Sequence, residues 1–230
     1  MPAQSRLRWP LDIAMTLLFV ICVADRFTEN TAHEYTGAAL LFLVMAHLWL
    51  NRRWFSTLFH PKWQIARCTQ LAVNVFLLVA VTGMFLCAIG ISQSLFAWLG
   101  FRGGLAVRKM HLGFAFWSIV LAGVHLGLHW RMISGAIPRY LRAPRVAAPC
   151  KLLCALFALY GIYAFLLRKI PMYLALDTAY LFWPEDDSLP RLLVDYAAII
   201  ALFALAGHFL GKYATGRRAL QTPGKASLTF

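Results

Sequence analysis

The chain predicts an all-α integral membrane protein with six transmembrane helices. Three observations carry that prediction. Of its 230 residues 61% are hydrophobic and only 13% charged, roughly half the charge of an ordinary soluble domain. Apolar stretches of roughly 17–25 residues, the length a bilayer core demands, recur along it. Lys and Arg, finally, fall unevenly between successive loops.

The stretches lie near 9–28, 33–51, 70–92, 106–130, 149–168 and 192–212. In the first, only Asp12 breaks the uncharged run from Leu11 to Ala24, and Trp9 and Phe27 serve as its ends. Pro10 just before Asp12 reads as a helix start, where an acid is favoured. No small-residue cleavage site lies ahead of Asp25 and Arg26, so this segment reads as a helix and not as a signal peptide. Spans two and four carry histidines, and span six carries a single one, His208.

Orientation follows from the loops. The amino end, the 52–67 and 131–151 loops and the carboxyl tail hold 15 of the 22 Lys and Arg; the other three loops hold seven, together with Asp25, Glu29, Glu34, Asp177, Glu185, Asp186 and Asp187. Both termini are therefore expected in the cytoplasm. The net charge of +13 does not call for nucleic acid, because the basic residues sit in short juxtamembrane loops where anionic lipid head groups account for them. Cys22, Cys68, Cys87, Cys150 and Cys154 are scattered and imply no disulfide framework. Cys150 and Cys154, one turn apart but with no second pair, read as small buried residues.

The second span contains HEYTGAALLFLVMAH, residues 33–47, and the fourth contains HLGFAFWSIVLAGVH, residues 111–125: equal lengths with a histidine at each end. Downstream both continue as H-L-x-L-[NH]-x-R, which aligns Asn51 with His129, and upstream Asp12 in LDIAMTLLF answers Asn74 in VNVFLLV. This reads as a duplicated helical hairpin. Spans two and four run in the same direction, so His33 lies level with His111 and His47 level with His125. Fourteen residues are four turns of a left-handed bundle, so each helix shows both imidazoles to one neighbour, at levels about 21 Å apart.

Imidazoles in lipid are costly and mark a functional site. Zinc wants four protein ligands, and each level offers two. Iron in a porphyrin wants two axial ligands, and histidine is a standard one. Small residues, Gly37, Ala38, Ala39, Gly83, Gly113, Ala115 and Gly123, would let the macrocycle approach, although such residues also serve ordinary helix packing. Arg108 and Lys109 on the outer side, and Arg52, Arg53 and Arg131 on the inner side, are placed to meet haem propionates, or to set topology.

Paired histidines at this spacing resemble the arrangement in di-haem cytochromes b. More closely, LDIAMTLLF, HEYTG, HLWLNRRW and VHLGLHW resemble a bacterial haem-binding four-helix membrane family, catalogued as a domain of unknown function and related to di-haem cytochrome b and hydrogenase cytochrome b subunits. The resemblance covers about residues 7–132. It implies a four-helix di-haem bundle (1–132) with a two-helix extension and basic tail (133–230), in a bacterial inner membrane. It implies two haem b groups, the outer on His33 and His111, the inner on His47 and His125. Electrons would cross the bilayer between a redox partner subunit or soluble carrier and a quinone or second carrier. His129 competes as the inner ligand, but the repeat favours His125, since the counterpart of His129 is Asn51.

His129, Asn51, Asn74, Gln70 and Asp12 gather toward the cytoplasmic ends, where they could serve a quinone head group or simply cap and solvate. His60 is expected in solvent, and His208 in packing. The acidic tip Glu185-Asp186-Asp187 could steer a basic carrier, with a solvated loop as the default; SQSLFAWLGFRGG, 92–104, could cover the outer haem. Two other readings stand: a proton-coupled transporter, for which the middle of the spans is too apolar, and a structural subunit without haem.

Overall fold

The computed structural model describes residues 3–56, 64–136 and 144–221, and among them every regular element is helical. These are α1 (Ala3–Val23), α2 (Asn30–Leu50), α3 (Arg53–Ser56), α4 (Ile65–Ile91), α5 (Leu105–Leu128), α6 (Trp130–Ala136), α7 (Pro144–Leu167), α8 (Ile170–Leu174) and α9 (Leu189–Gln221). Four stretches are long and apolar enough to cross a bilayer: Ile65–Ile91, Leu105–Leu128, Ala148–Leu167 and Leu189–Gly216. The chain is a multi-pass α-helical membrane protein.

Against six expected spans, α1 and α2 have the length, 21 residues each, but less apolar character. Arg6, Arg8 and Asp12 interrupt α1, and Asn30, His33, Glu34 and His47 interrupt α2. Pro10 does not open the first helix; it lies inside α1. Asp12 consequently sits in the third turn, where a cap role is ruled out and another use of its charge has to be found.

Packing divides the molecule. α5 lies between α4 and α9, and α9 in turn carries α7. Glycine makes these approaches close: a Cβ on Gly123 would stand 2.7 Å from Phe203, while one on Gly127, Gly161 or Gly207 would overlap the carbonyl oxygen of Ala204, Ala198 or Val124 respectively. Removing side chains in this way is how helices draw together in lipid. α9, beyond residue 133, is therefore pressed flush against the histidine-bearing α5, not hung beside it. Phe116 of α5, Tyr173 of α8 and Leu192, Tyr196 and Ile199 of α9 form the buried core, with Phe116 stacked on Tyr173 at 4.2 Å.

A buried ion cluster completes this half. Arg168, just past α7, donates to Asp187 (2.7 Å) and Asp195 (2.9 Å), with the Tyr160 hydroxyl also donating to Asp195. The Arg168, Asp187 and Asp195 side chains are at most 1% exposed. Asp187 is thus a buried partner and not part of a solvated acidic tip; only Glu185 and Asp186 remain exposed. The α1–α2 hairpin differs: its two helices pack on each other, and on neither α4 nor α5 closely. A cleft is left between the two halves.

Candidate functional site

The cleft is where His33 of α2 and His111 of α5 meet. At the first level His33, in the opening turn of α2, faces His111, in the second turn of α5, with ring centroids 6.4 Å apart and planes at 77°. Two imidazoles bound through nitrogen to one metal at about 2.0–2.1 Å would hold their centroids about 6.3 Å apart. His111 Nδ1 lies 3.0 Å from the Met84 carbonyl oxygen. A carbonyl only accepts, so Nδ1 carries the proton and Nε2 keeps its lone pair. His33 Nδ1 lies 3.5 Å from the Asp25 carboxylate, beyond a normal hydrogen bond, and is buried without a hydrogen-bond partner.

Both rings line a cavity of about 430 Å³, walled by Phe19 and Val23 of α1, Gly37, Ala38 and Leu41 of α2, Met84 and Phe85 of α4, and Leu112 and Ala115 of α5. That volume falls among small-molecule and cofactor sites. Of the small residues expected to face a macrocycle, Gly37, Ala38 and Ala115 do line it. Gly113 does not. It is buried beneath the turn after α8, where a Cβ would overlap Leu176, which sits in the left-handed region at φ 58°. A glycine there accepts the side chain of a strained residue, so Gly113 serves the α5–α8 contact. Gly83 likewise seats Phe114, and Gly123 seats α9.

The mouth of the cavity is bound across the cleft. Glu34, next to His33, accepts from the Ser92 hydroxyl (2.6 Å), the Gln93 amide (2.7 Å), the Ser94 amide (3.1 Å) and hydroxyl (2.7 Å) and the Leu95 amide (2.8 Å). One carboxylate thereby ties the start of α2 to the segment joining α4 and α5. Ser92, Gln93, Phe96, Gly103 and Gly104 line the cavity, as do Arg108 and Tyr180, so the 92–104 segment does cover this level. The Arg108 guanidinium stands 5.6 Å over the Tyr180 ring. Lys109, one residue on, is half-buried and outside the lining.

At the second level, His47 Nδ1 donates to the Asp12 carboxylate at 2.7 Å. This is the use for the acid in the third turn of α1. On the other hairpin the Asn74 amide meets His125 Nδ1 at 2.8 Å. Turned the other way, the same amide presents nitrogen to Nδ1, donates to the Gln70 carbonyl and accepts from Trp54 Nε1, the latter two at 3.3 Å. The first setting leaves His125 Nε2 with a lone pair, the second protonates it. Asn51 Nδ2 lies 3.4 Å from His47 Nε2. His129, the C-cap of α5, lies against His125 with centroids 4.6 Å apart, but Asn74 backs His125, not His129. No ring contact joins His47 to His125 among the described residues.

The basic residues expected at this end behave unequally. Arg52 folds back over Trp49, 4.8 Å from the ring, and donates to the Trp49 carbonyl. The Arg131 side chain lies outside the described residues, as does His60. Arg8, which sequence reasoning passed over, donates to the Leu50 carbonyl at 2.9 Å and caps α2. His208 is a packing residue, edge-on to Trp130 at 6.1 Å.

Two tests bear on what the site could hold. Among the described residues no cluster of three or more His, Cys, Asp or Glu could ligate a bare metal ion, whereas a porphyrin iron asks the protein for only two. The first level fits such a group: a largely apolar cavity, two imidazoles at the right span, and Nδ1 atoms directed at the Met84 carbonyl and toward Asp25. The second level fits less closely: His47 Nδ1 donates to Asp12, but the better-satisfied setting of Asn74 puts the proton on His125 Nε2, Asn51 stands 3.4 Å from His47 Nε2, and the two rings make no contact among the described residues. Compared with family models, curated proteins and solved structures, the chain shows no significant match.

Proposed function

We propose that this chain is a membrane-embedded di-haem b-type cytochrome that relays electrons across the bilayer between a redox partner protein and a quinone or second carrier. The observation that carries it is the approach of His33 and His111 in the lining of a cofactor-sized cavity, with His111 Nδ1 held by the Met84 carbonyl so that Nε2 keeps its lone pair. On this reading α1 and α2 also cross the bilayer, completing six spans in a bacterial inner membrane with both termini cytoplasmic. Their polar residues then face the cleft and not lipid, as ionisable groups in membranes do.

A bound haem supplies one-electron exchange between ferric and ferrous iron. The chain's residues do the rest. His33 and His111 would hold the outer haem, and His47 and His125 the inner one. Met84, Asp12 and Asn74 hold the rings of His111, His47 and His125 from behind, while Asp25 faces His33 at 3.5 Å. Arg108 stands at the outer mouth to meet carboxylate side chains of the group, and Arg8 offers a cation at the inner end. Phe19, Leu41, Phe85 and Leu112 exclude water. Four histidines offered as two pairs would give each haem iron both of its protein ligands, which would suit electron transfer and would leave no place for oxygen.

The test is a reduced-minus-oxidised visible spectrum of the purified chain. Sharp b-type bands are expected. A featureless spectrum from protein expressed with ample haem supply would leave the structural-subunit or histidine-relay readings in its place.

A further inference from the structure

The two imidazoles of the first level are placed by different means. His111 is held on its own ring, with Nδ1 donating to the Met84 carbonyl of α4 at 3.0 Å. The His33 ring has no such hold: its buried Nδ1 lacks a hydrogen-bond partner, and Asp25 stands at 3.5 Å. Where His33 sits therefore depends on where α2 is put, and the α1–α2 hairpin packs mainly on itself. The α1 end of that hairpin has its own anchors, Ala24 in the buried core and Arg26 on the Pro184 carbonyl at 3.3 Å. The start of α2 has Glu34. Its carboxylate takes the Ser92 and Ser94 hydroxyls and the amides of Gln93, Ser94 and Leu95, all within 3.1 Å, while Asn30 steadies it from within α2 at 2.9 Å. Among the described residues no other α2 side chain hydrogen-bonds to α4, α5 or the segment between them.

We propose that Glu34 is a positioning residue that sets His33 opposite His111 for the outer haem, which deepens the haem reading above and rests on it. Both imidazoles then take their place from one element. Ser92 is the C-cap of α4, and Met84 lies eight residues before it, about 12 Å along the same helix. The end of α4 thus orients one ring through a carbonyl and places the other through a carboxylate. The turn suits an acid. Gln93, Ser94 and Leu95 donate to no backbone carbonyl among the described residues, so three successive amides converge on one side chain, and hydrogen bonds to an ionised acceptor are the stronger kind. A glutamine at this position would turn an NH₂ group toward those donors. If Glu34 only capped the turn, its loss would not single out one level of histidines.

The experiment measures haem transfer from the purified, haem-loaded full chain to excess apomyoglobin, with electron paramagnetic resonance spectra of the ferric protein, for wild type, Glu34→Ala, Glu34→Asp and the double variant Ser92→Ala, Ser94→Ala. In Glu34→Ala one haem should leave about tenfold faster. That is the lower end of what groups orienting a ligand contribute, because Glu34 acts through α2 and not on the ring. The same haem should exchange its low-spin signal for a high-spin one as His33 lets go, while the other keeps its rate and its signal. Glu34→Asp should recover part of the loss. The serine double variant, which removes two donors and leaves the carboxylate, should loosen the same haem less, which keeps the proposal testable if Glu34→Ala does not accumulate. Both haems loosened alike, or neither loosened, overturn the role of Glu34 and leave the cytochrome standing. Absence of haem from wild type overturns the cytochrome reading itself, and the proposal with it.

Discussion

The half of the molecule built on α5, α7, α8 and α9 and the half built on α1 and α2 solve opposite problems. In the first, glycines bring backbones into contact and a buried arginine joins two acids. In the second, the hairpin stands off from α4 and α5 and is tied to the linking segment by Glu34 at its edge. The difference teaches that the cleft is bounded by unlike walls: one half is a closely packed wall carrying His111 and His125, and the other is a hairpin that carries His33 and His47 and packs mainly on itself.

The comparison can be broken hardest at Arg168. Arg168→Met leaves Asp187 and Asp195 buried without their cation, and about 3–5 kcal/mol of stability should go, measured by denaturant titration in detergent. The same cluster gives an acid limit. The guanidinium of Arg168 holds the Asp187 carboxyl below the usual aspartate range. A depressed folded value means the contribution is fully present above the unfolded value, about 3.9, and is lost as pH falls through the lower folded one. Wild type should therefore lose stability in strong acid, and Asp187→Asn should lose less over that window.

Next in size, Gly127→Ala should cost about 1–3 kcal/mol, since its Cβ would overlap the Ala204 carbonyl oxygen. Gly37→Ala in the loose half meets nothing within 4 Å and should gain up to about 1 kcal/mol from helix propensity. If both glycines respond alike, the two halves are not packed differently. Smallest is Glu34→Gln, which keeps some acceptor capacity but loses the charge. About 1 kcal/mol of stability is expected to be lost, with a larger effect on whatever His33 binds than on ligation by His47.

Much of the site was legible beforehand because histidine spacing is a helical ruler. Fourteen residues on each of two parallel helices predict two matched pairs; α2 and α5 deliver His33 to His111, while His47 and His125 make no ring contact among the described residues. The pairing of Asp12 with Asn74 was also readable, since a repeat preserves place even where chemistry changes. Glycines were less legible: Gly37 and Gly113 look alike in sequence, yet one opens on the cavity and the other seats Leu176, and only the partner helix decides. Glu34 was counted as a loop charge because an acid beside His33 says nothing about the amides of residues 93–95. Arg168 and Asp195 escaped for the same reason. They lie 27 residues apart, and nothing periodic links an ion pair across two helices.

The account's central claim, that histidines of α2 and α5 share metal centres, is tested most directly by haem stoichiometry. Pyridine haemochrome analysis should find two haems per chain in wild type and one in His111→Ala. One should also remain in His47→Ala, and none in the double variant. Two haems persisting in His111→Ala, in protein that remains folded, would contradict it.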